Sequence, residues 1–336
     1  MSAGLDPGWD GFVEAHPASS FFHRAGWRTI AATVFGHRTH QLEARRGGAV
    51  TGVAPFVQLR SRIFGHALVG NGFCVGGGPL ASDPDSLADL IDQSERLGRK
   101  LGVDYVELRD TPAAGGDWTC QSDLYAGFEA PLHTSEENAL KAIPRRQRAV
   151  VRKALERNLS VTIAPNAEAF YPLYALTMRN HGTPALPARY FKEVAAVFGV
   201  DCEFLTVSAD GRAVASVLSY FHHGRVLPYY TGSRPDARQI GANDLMYWAV
   251  MRRAVDRGCT VFDFGRSKVN TGPYSFKRNW GFEPRAIAHQ YRLLRGDALP
   301  QLNPTNPRYA AFIKLWRRLP LPVATAVSPL LSRSLG

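Results

Sequence analysis

Residues 86–110, "SLADLIDQSERLGRKLGVDYVELRD", and residues 243–267, "NDLMYWAVMRRAVDRGCTVFDFGRS", follow one grammar. In the first, Leu87, Leu90, Ile91 and Leu97 recur at helical spacing, Gly102 closes the helix, and an alternating strand follows. In the second, Tyr247, Val250, Met251 and Ala254 form the apolar side, Gly258 closes the helix, and a strand follows again. Glu107 stands five residues after Gly102 and Asp263 five after Gly258, so both strands carry an acid at the same offset. Strand-like runs precede each helix. In the first half they are "AVTGVAPFVQL" (49–59) and "HALVGNGF" (66–73). In the second they are "CEFLTVSA" (202–209), "AVASVLSYF" (213–221) and "VLPYYTGS" (226–233), separated by "DG" and "HHG" turns. The same order occurring twice predicts a duplicated α/β (α+β) unit whose mixed sheet is flanked by helices.

The length of 336 residues suits two medium domains, and 45% hydrophobic with 21% charged residues is the composition of a folded chain. The formal charge of +11 favours anionic partners: nucleic acid, phosphate-bearing nucleotides or an acidic membrane surface. Cys74, Cys120, Cys202 and Cys259 are scattered with no C-x-x-C pair, which predicts reduced thiols and no metal site. The start, "MSAGLDPGWDGF", has neither a basic opening nor an apolar run, and no stretch approaches the roughly 20 apolar residues of a membrane span; a cytoplasmic location is expected. The tail from Leu315 is mildly apolar and carries Arg317, Arg318 and Arg333. Two readings fit it: docking on the core, or resting on the inner membrane surface. Pro320, Pro322 and Pro329 argue against one continuous helix.

Between the halves, "ENALKAIPRRQRAVVRKALERNLSV" (137–161) places Arg145, Arg148 and Arg152 on one helical face, with Ala149, Val150, Ala154 and Leu155 as apolar contacts. Such a face is either solvated or holds phosphate groups. In "RPDARQIGANDLMYW" (234–248), a turn delivers the chain to a helix start, where free N–H groups and the dipole suit a phosphate. Asn243 is the expected N-cap. Arg238 and Gly241 match the pyrophosphate loop R/Q-x-x-G-x-G/A of GNAT acyltransferases in part, with Asn243 where the pattern has a small residue.

In "FDFGRSKVNTGPYSFKRNWGF" (262–282), alternation sends Phe262 and Phe264 to one face and Asp263 to the other. Arg266 and Lys268 are expected just past the strand end, where α/β sheets place ligands; Arg266 suits bidentate anion binding, or a pair with Asp263 that fixes the loop. Tyr274 and Phe276 are read as a returning strand carrying Lys277, a lysine among rings whose charge is felt by a developing oxyanion. One of Tyr229 and Tyr230 faces the site if its strand alternates.

The stretches 262–284, "GANDLMYWAVMRRAVDRGC" (241–259), "PRRQRAVVRKALERNLSV" (144–161), "SFFHRAGWRTIAATVFGHRTHQLEA" (20–44) and the closing residues 303–336 resemble the FemAB-like transferases. They are most similar to the branch associated with the PEP-CTERM/exosortase (XrtA) system, and the resemblance spans nearly the whole chain. It implies tandem GNAT-like domains, expected here as 1–134 and 135–296, the second led in by the basic helix, with a tail at 297–336. It implies an acyl or aminoacyl transfer to an amine on an envelope or exopolysaccharide precursor. The donor, aminoacyl-tRNA or acyl-CoA, is a co-substrate rather than a tightly bound cofactor. The acceptor is an anionic nucleotide-sugar or lipid-linked glycan, and charged tRNA is a further partner. The family's phenylalanine-lysine pair falls on Phe276 and Lys277, which the resemblance puts at the transfer centre. Asp263, Tyr229 and Tyr230 are assigned to acceptor positioning from their place in the strands. The alternative reading is a non-catalytic scaffold that has kept an anionic glycan precursor but lost its donor. General nucleic-acid binding is a third.

Overall fold

The computed structural model describes residues 7–61, 65–111, 114–296 and 307–333. Its strands are β1 (Arg38–Arg46), β2 (Ala49–Ser61), β3 (Gly65–Gly70), β4 (Leu80–Ala81), β5 (Tyr105–Arg109), β6 (Thr119–Pro131), β7 (Leu159–Ala164), β8 (Cys202–Ala209), β9 (Arg212–His222), β10 (Arg225–Ser233), β11 (Val261–Lys268) and β12 (Pro284–Leu293). The chain divides into two compact units. One is Met1–Tyr125 with Ala286–Asn303 and Arg333–Gly336; the other is Ala126–Arg285 with Pro304–Ser332. Each unit is thus discontinuous in sequence, with β12 serving the first and the end of β6 serving the second.

In the first unit β1, β2 and β3 pair antiparallel in succession, β3 runs parallel to β5, and β12 pairs antiparallel with β5, setting His289 opposite Arg109. Parallel neighbours need a crossover, and the helix Pro84–Leu101 supplies it. The Asp83 carboxylate accepts from the Ser86 N–H to start that helix, and Gly102 in the left-handed region ends it. Leu90 is fully buried on its inner face, but Ser94 and Gly98 complete that row; Leu87, Ile91 and Leu97, expected there from their spacing, are half-buried.

The second unit orders its strands β6-β11-β10-β9-β8-β7. β7 to β10 pair antiparallel, and β10 runs parallel to β11 across the crossover helix Ala242–Asp256. The helix-glycine-strand repeat is therefore a repeated crossover onto a parallel neighbour in two mixed α/β units. Phe262 and Phe264 enter a core with Trp248, Met251, Trp280 and Phe282. Burying each ring is worth about 2 kcal/mol, enough to pin the register of β11 and with it the face that Asp263 occupies.

The tail forms two helices, Pro307–Trp316 and Leu321–Ser332, separated at Pro320. They pack in the second unit beside the helix Phe170–His181: Ile313 lies against Gly182, and the Ser328 hydroxyl accepts from the Ala185 N–H at 3.0 Å. Residues 297–306 and 334–336 of the expected tail lie outside the described residues.

Candidate active site

The site departs from the expected layout in three places. First, β11 runs on to Lys268, so Arg266 and Lys268 lie within the strand rather than past its end, both half-buried. The strand kinks locally at Gly265, whose φ of +67° is open to glycine at little cost. That kink directs the Gly265 N–H onto the Asp263 carboxylate at 2.8 Å. After it, Ser267 becomes the buried residue, and its hydroxyl has no hydrogen-bond partner among the described residues.

Second, Tyr274, Phe276 and Lys277 lie on a helix, Gly272–Asn279, and not on a returning strand. Pro273 in its first turn pre-sets the helical φ where a missing N–H costs nothing, and the Phe276–Trp280 pair has the helical i, i+4 spacing that a two-residue alternation hid. The Thr271 hydroxyl fixes the approach by donating to the Lys268 carbonyl at 2.7 Å.

Lys277 sits in the last turn of this helix with only 9% of its surface exposed. Its Nζ donates to the carbonyl oxygens of Gly265 and Arg266, each at 3.0 Å, and lies 5.4 Å from the Phe128 ring centre and 5.5 Å from that of Phe264. Burial drives its pKa down to about 7, against the upward pull of Asp263. Burial likewise raises the Asp263 carboxyl, while the Gly265 N–H pulls the other way. The helix separates the phenylalanine-lysine pair: Phe276 packs on Tyr247, Phe264 and Trp280, so its role is to seat the helix on the core. Tyr274 meets Phe128 edge-on at 5.3 Å, beside the lysine.

Tyr229 and Tyr230 lie side by side on β10. A bulge between Pro228 and Tyr230 breaks the expected alternation against β9. The Tyr230 hydroxyl lies 3.3 Å from that of Tyr190, its ring packs on Tyr174 and Phe191, and burial pushes its phenol well above the ordinary range. Tyr229 packs on Tyr220 and Tyr230.

Third, the N-cap of the helix Ala242–Asp256 is Gly241 at φ +72°, and Asn243 sits one place inside the helix without capping it. A β-carbon at Gly241 would stand 2.9 Å from the Ala154 β-carbon, so the basic helix Arg145–Leu155 crosses that helix start directly. At the same spot Gln147 donates to the Asp244 carboxylate, a buried acid whose pKa is raised by burial. Arg238 is exposed at the end of the preceding 3-10 turn. On the basic helix, Val151 and Ala154 face inward, while Ala149, Val150 and Leu155, expected as contacts, are exposed. Arg148 donates to the carbonyls of Lys141 and Ile143 and so closes the helix before it; Arg145 and Arg152 are exposed.

The first unit treats its matching acid differently. The Glu107 carboxylate meets Arg109 Nε at 2.8 Å and His289 Nδ1 at 3.2 Å, all three buried. Burial alone would push that carboxyl up, but Arg109 and His289 outweigh it and hold its pKa at about 2. Glu107 is locked in an ion pair, whereas Asp263 stands near a lysine poised to change charge. Phe128, Gln147 and Asp244 escaped the sequence reading. Phe128 comes from a distant strand, and Asp244 carries only the weak signal of an acid in a first helical turn.

A sequence model of the acetyltransferase (GNAT) domain matches residues 144–278. No curated protein matches the chain. Among solved structures, FemX is 16% identical over 85% of this chain and 95% of its own, with a TM-score of 0.70. L-PGS from Bacillus licheniformis is 13% identical over 99% and 97%, TM-score 0.54. A tandem GNAT protein from the clavulanic acid biosynthesis pathway is 12% identical over 89% and 98%, TM-score 0.54. The fold is that of tandem GNAT-like domains.

Proposed function

We propose that this chain is an N-acyl or aminoacyl transferase of FemAB type, which passes an acyl group to an amine on an envelope or exopolysaccharide precursor, in line with its resemblance to the exosortase-associated branch. The observation that carries the reading is Lys277, buried among rings, held by two carbonyls, and brought to a pKa of about 7. An ammonium has three hydrogens, and two are spent on Gly265 and Arg266. The third is the donor suited to the oxyanion that forms when an amine attacks an ester or thioester carbonyl. In this low-dielectric setting that interaction is strong and needs little reorganisation. Asp263 favours the ammonium form by raising the pKa of the lysine against the effect of burial. Tyr274, Arg266 and Lys268 surround the same strand end and helix and suit an anionic acceptor.

Between the two donors, aminoacyl-tRNA is favoured. In the acyl-CoA reading, the start of the helix Ala242–Asp256 cradles a pyrophosphate, yet that end is crossed by the helix Arg145–Leu155 and already carries the Asp244 carboxylate. The exposed Arg145 and Arg152 suit a polyanionic donor. The deciding experiment presents purified protein with charged tRNA and with acyl-CoA, each with nucleotide-sugar or lipid-linked amine acceptors, and follows transfer. Transfer from charged tRNA that is lost in Lys277→Ala is expected. Acceptor binding without any transfer would replace this reading with the scaffold.

A further inference from the structure

We propose that the two C-terminal helices form a docking surface for an anionic lipid bilayer. The helix Leu321–Ser332 turns part of its large apolar set outward, with Leu321 and Leu331 half-buried. Its buried row is Ala324, Ser328 and Ser332, small residues that lie close to the unit beneath, while Val323, Val327 and Leu330 face solvent, Leu330 with 73% of its surface exposed. The helix Pro307–Trp316 does the same in part: Trp316 is buried, and Phe312 and Leu315 are exposed, Leu315 by 64%. Of the ten large hydrophobic side chains exposed among the described residues, these two short helices hold five. A helix whose only task was to cover the core would turn its large apolar residues inward.

The charge around this face selects the occupant. Residues 307–333 contain Arg308, Lys314, Arg317, Arg318 and Arg333 and not one aspartate or glutamate. Lys314, Arg317, Arg318 and Arg333 are exposed. Exposed apolar side chains on a segment that carries cations and no acid match the layered chemistry of a bilayer surface, acyl chains beneath phosphates. A second copy of this chain would have to bring the same exposed cations, Lys314, Arg317 and Arg318, against these. No helix among the described residues is long and apolar enough to cross a membrane, and helices of 10 and 12 residues reach only about 15–18 Å, so the pair lies on the surface rather than spanning it.

The test is co-sedimentation of the full chain with phosphatidylcholine vesicles and with vesicles containing phosphatidylglycerol. It compares wild type, a Leu315→Ser/Leu330→Ser variant and a Lys314→Gln/Arg318→Gln variant, with thermal melting to confirm that each is folded. Wild type is expected to pellet with the anionic vesicles only, and each variant to lose at least about tenfold in partitioning, one through two lost surface cations and the other through two lost apolar side chains. Equal binding to both vesicle types, no binding, or variants that bind like wild type would overturn the proposal. A dimer in solution that Leu315→Ser/Leu330→Ser converts to monomer, with vesicle binding unchanged, would assign the face to a second copy instead. The readout is binding, so it stands apart from the fate of the transferase assay.

Discussion

The ammonium of Lys277 donates to the carbonyl of Gly265, 3.0 Å away, and so ties the charge on a short helix to the kink of a neighbouring strand. The kink has a second consequence, since the same residue's N–H holds the Asp263 carboxylate at 2.8 Å. One glycine thus fixes both ionisable groups of the site, the acid by its N–H and the base by its C=O.

Replacing the lysine separates charge from position. Lys277→Ala is expected to lower kcat for transfer by about 10²–10³, the usual loss of one oxyanion donor. In wild type, the contribution of the lysine should fade as pH rises through about 7, because the ammonium is the competent form. Lys277→Arg stays charged, so in its pH–rate profile that limb should be absent.

Asp263→Asn keeps an oxygen for the Gly265 N–H but removes the charge that supports the lysine. The pKa of Lys277 should fall below 7 and the alkaline limb should move to lower pH, with the fold intact by thermal melting. An unmoved limb would detach Asp263 from the lysine.

The buried lysine also makes stability depend on pH. Its folded pKa of about 7 lies below the ordinary 10.5, so its burial cost is full below pH 7 and is relieved as pH rises toward 10.5. The unfolding free energy of wild type should gain up to about 1.4 kcal/mol per pH unit relative to that of Lys277→Met in that window, read by denaturant unfolding of both.

Gly265→Ala places a β-carbon on a residue at φ +67°. The expected cost is about 1–2 kcal/mol, seen as a melting temperature lower by several degrees, together with loss of activity as the Lys277 and Asp263 contacts shift.

In the first unit, Glu107→Gln leaves Arg109 buried without its charge partner, and the expected loss is about 3–5 kcal/mol. The wild-type carboxyl titrates at about 2 instead of 4.5, so its stabilisation is complete above pH 4.5 and is lost as pH falls toward 2. Acid unfolding of wild type should be steeper in that range than that of Glu107→Gln.

Much of this was legible in the chain itself. The spacing of apolar residues before Gly102 and Gly258 determined two helices and two strands, and alternation placed Phe262 and Phe264 opposite Asp263, because local periodicity decides which face of an element is buried. It also singled out Lys277 as a lysine among rings. Three things were decided only by tertiary structure. Whether "GPYSFKRN" is strand or helix turned on packing of Phe276 and Trp280 against Phe264, since eight residues carry both periods. The strand pairings that bring β12 to β5 and Phe128 to Lys277 join residues far apart in sequence, whose contacts no local pattern encodes. The opposite fates of two acids at the same offset followed from their neighbours. Glu107 met an arginine and a histidine that outweigh its burial, whereas the backbone N–H and the lysine beside Asp263 do not, so its carboxyl stays raised.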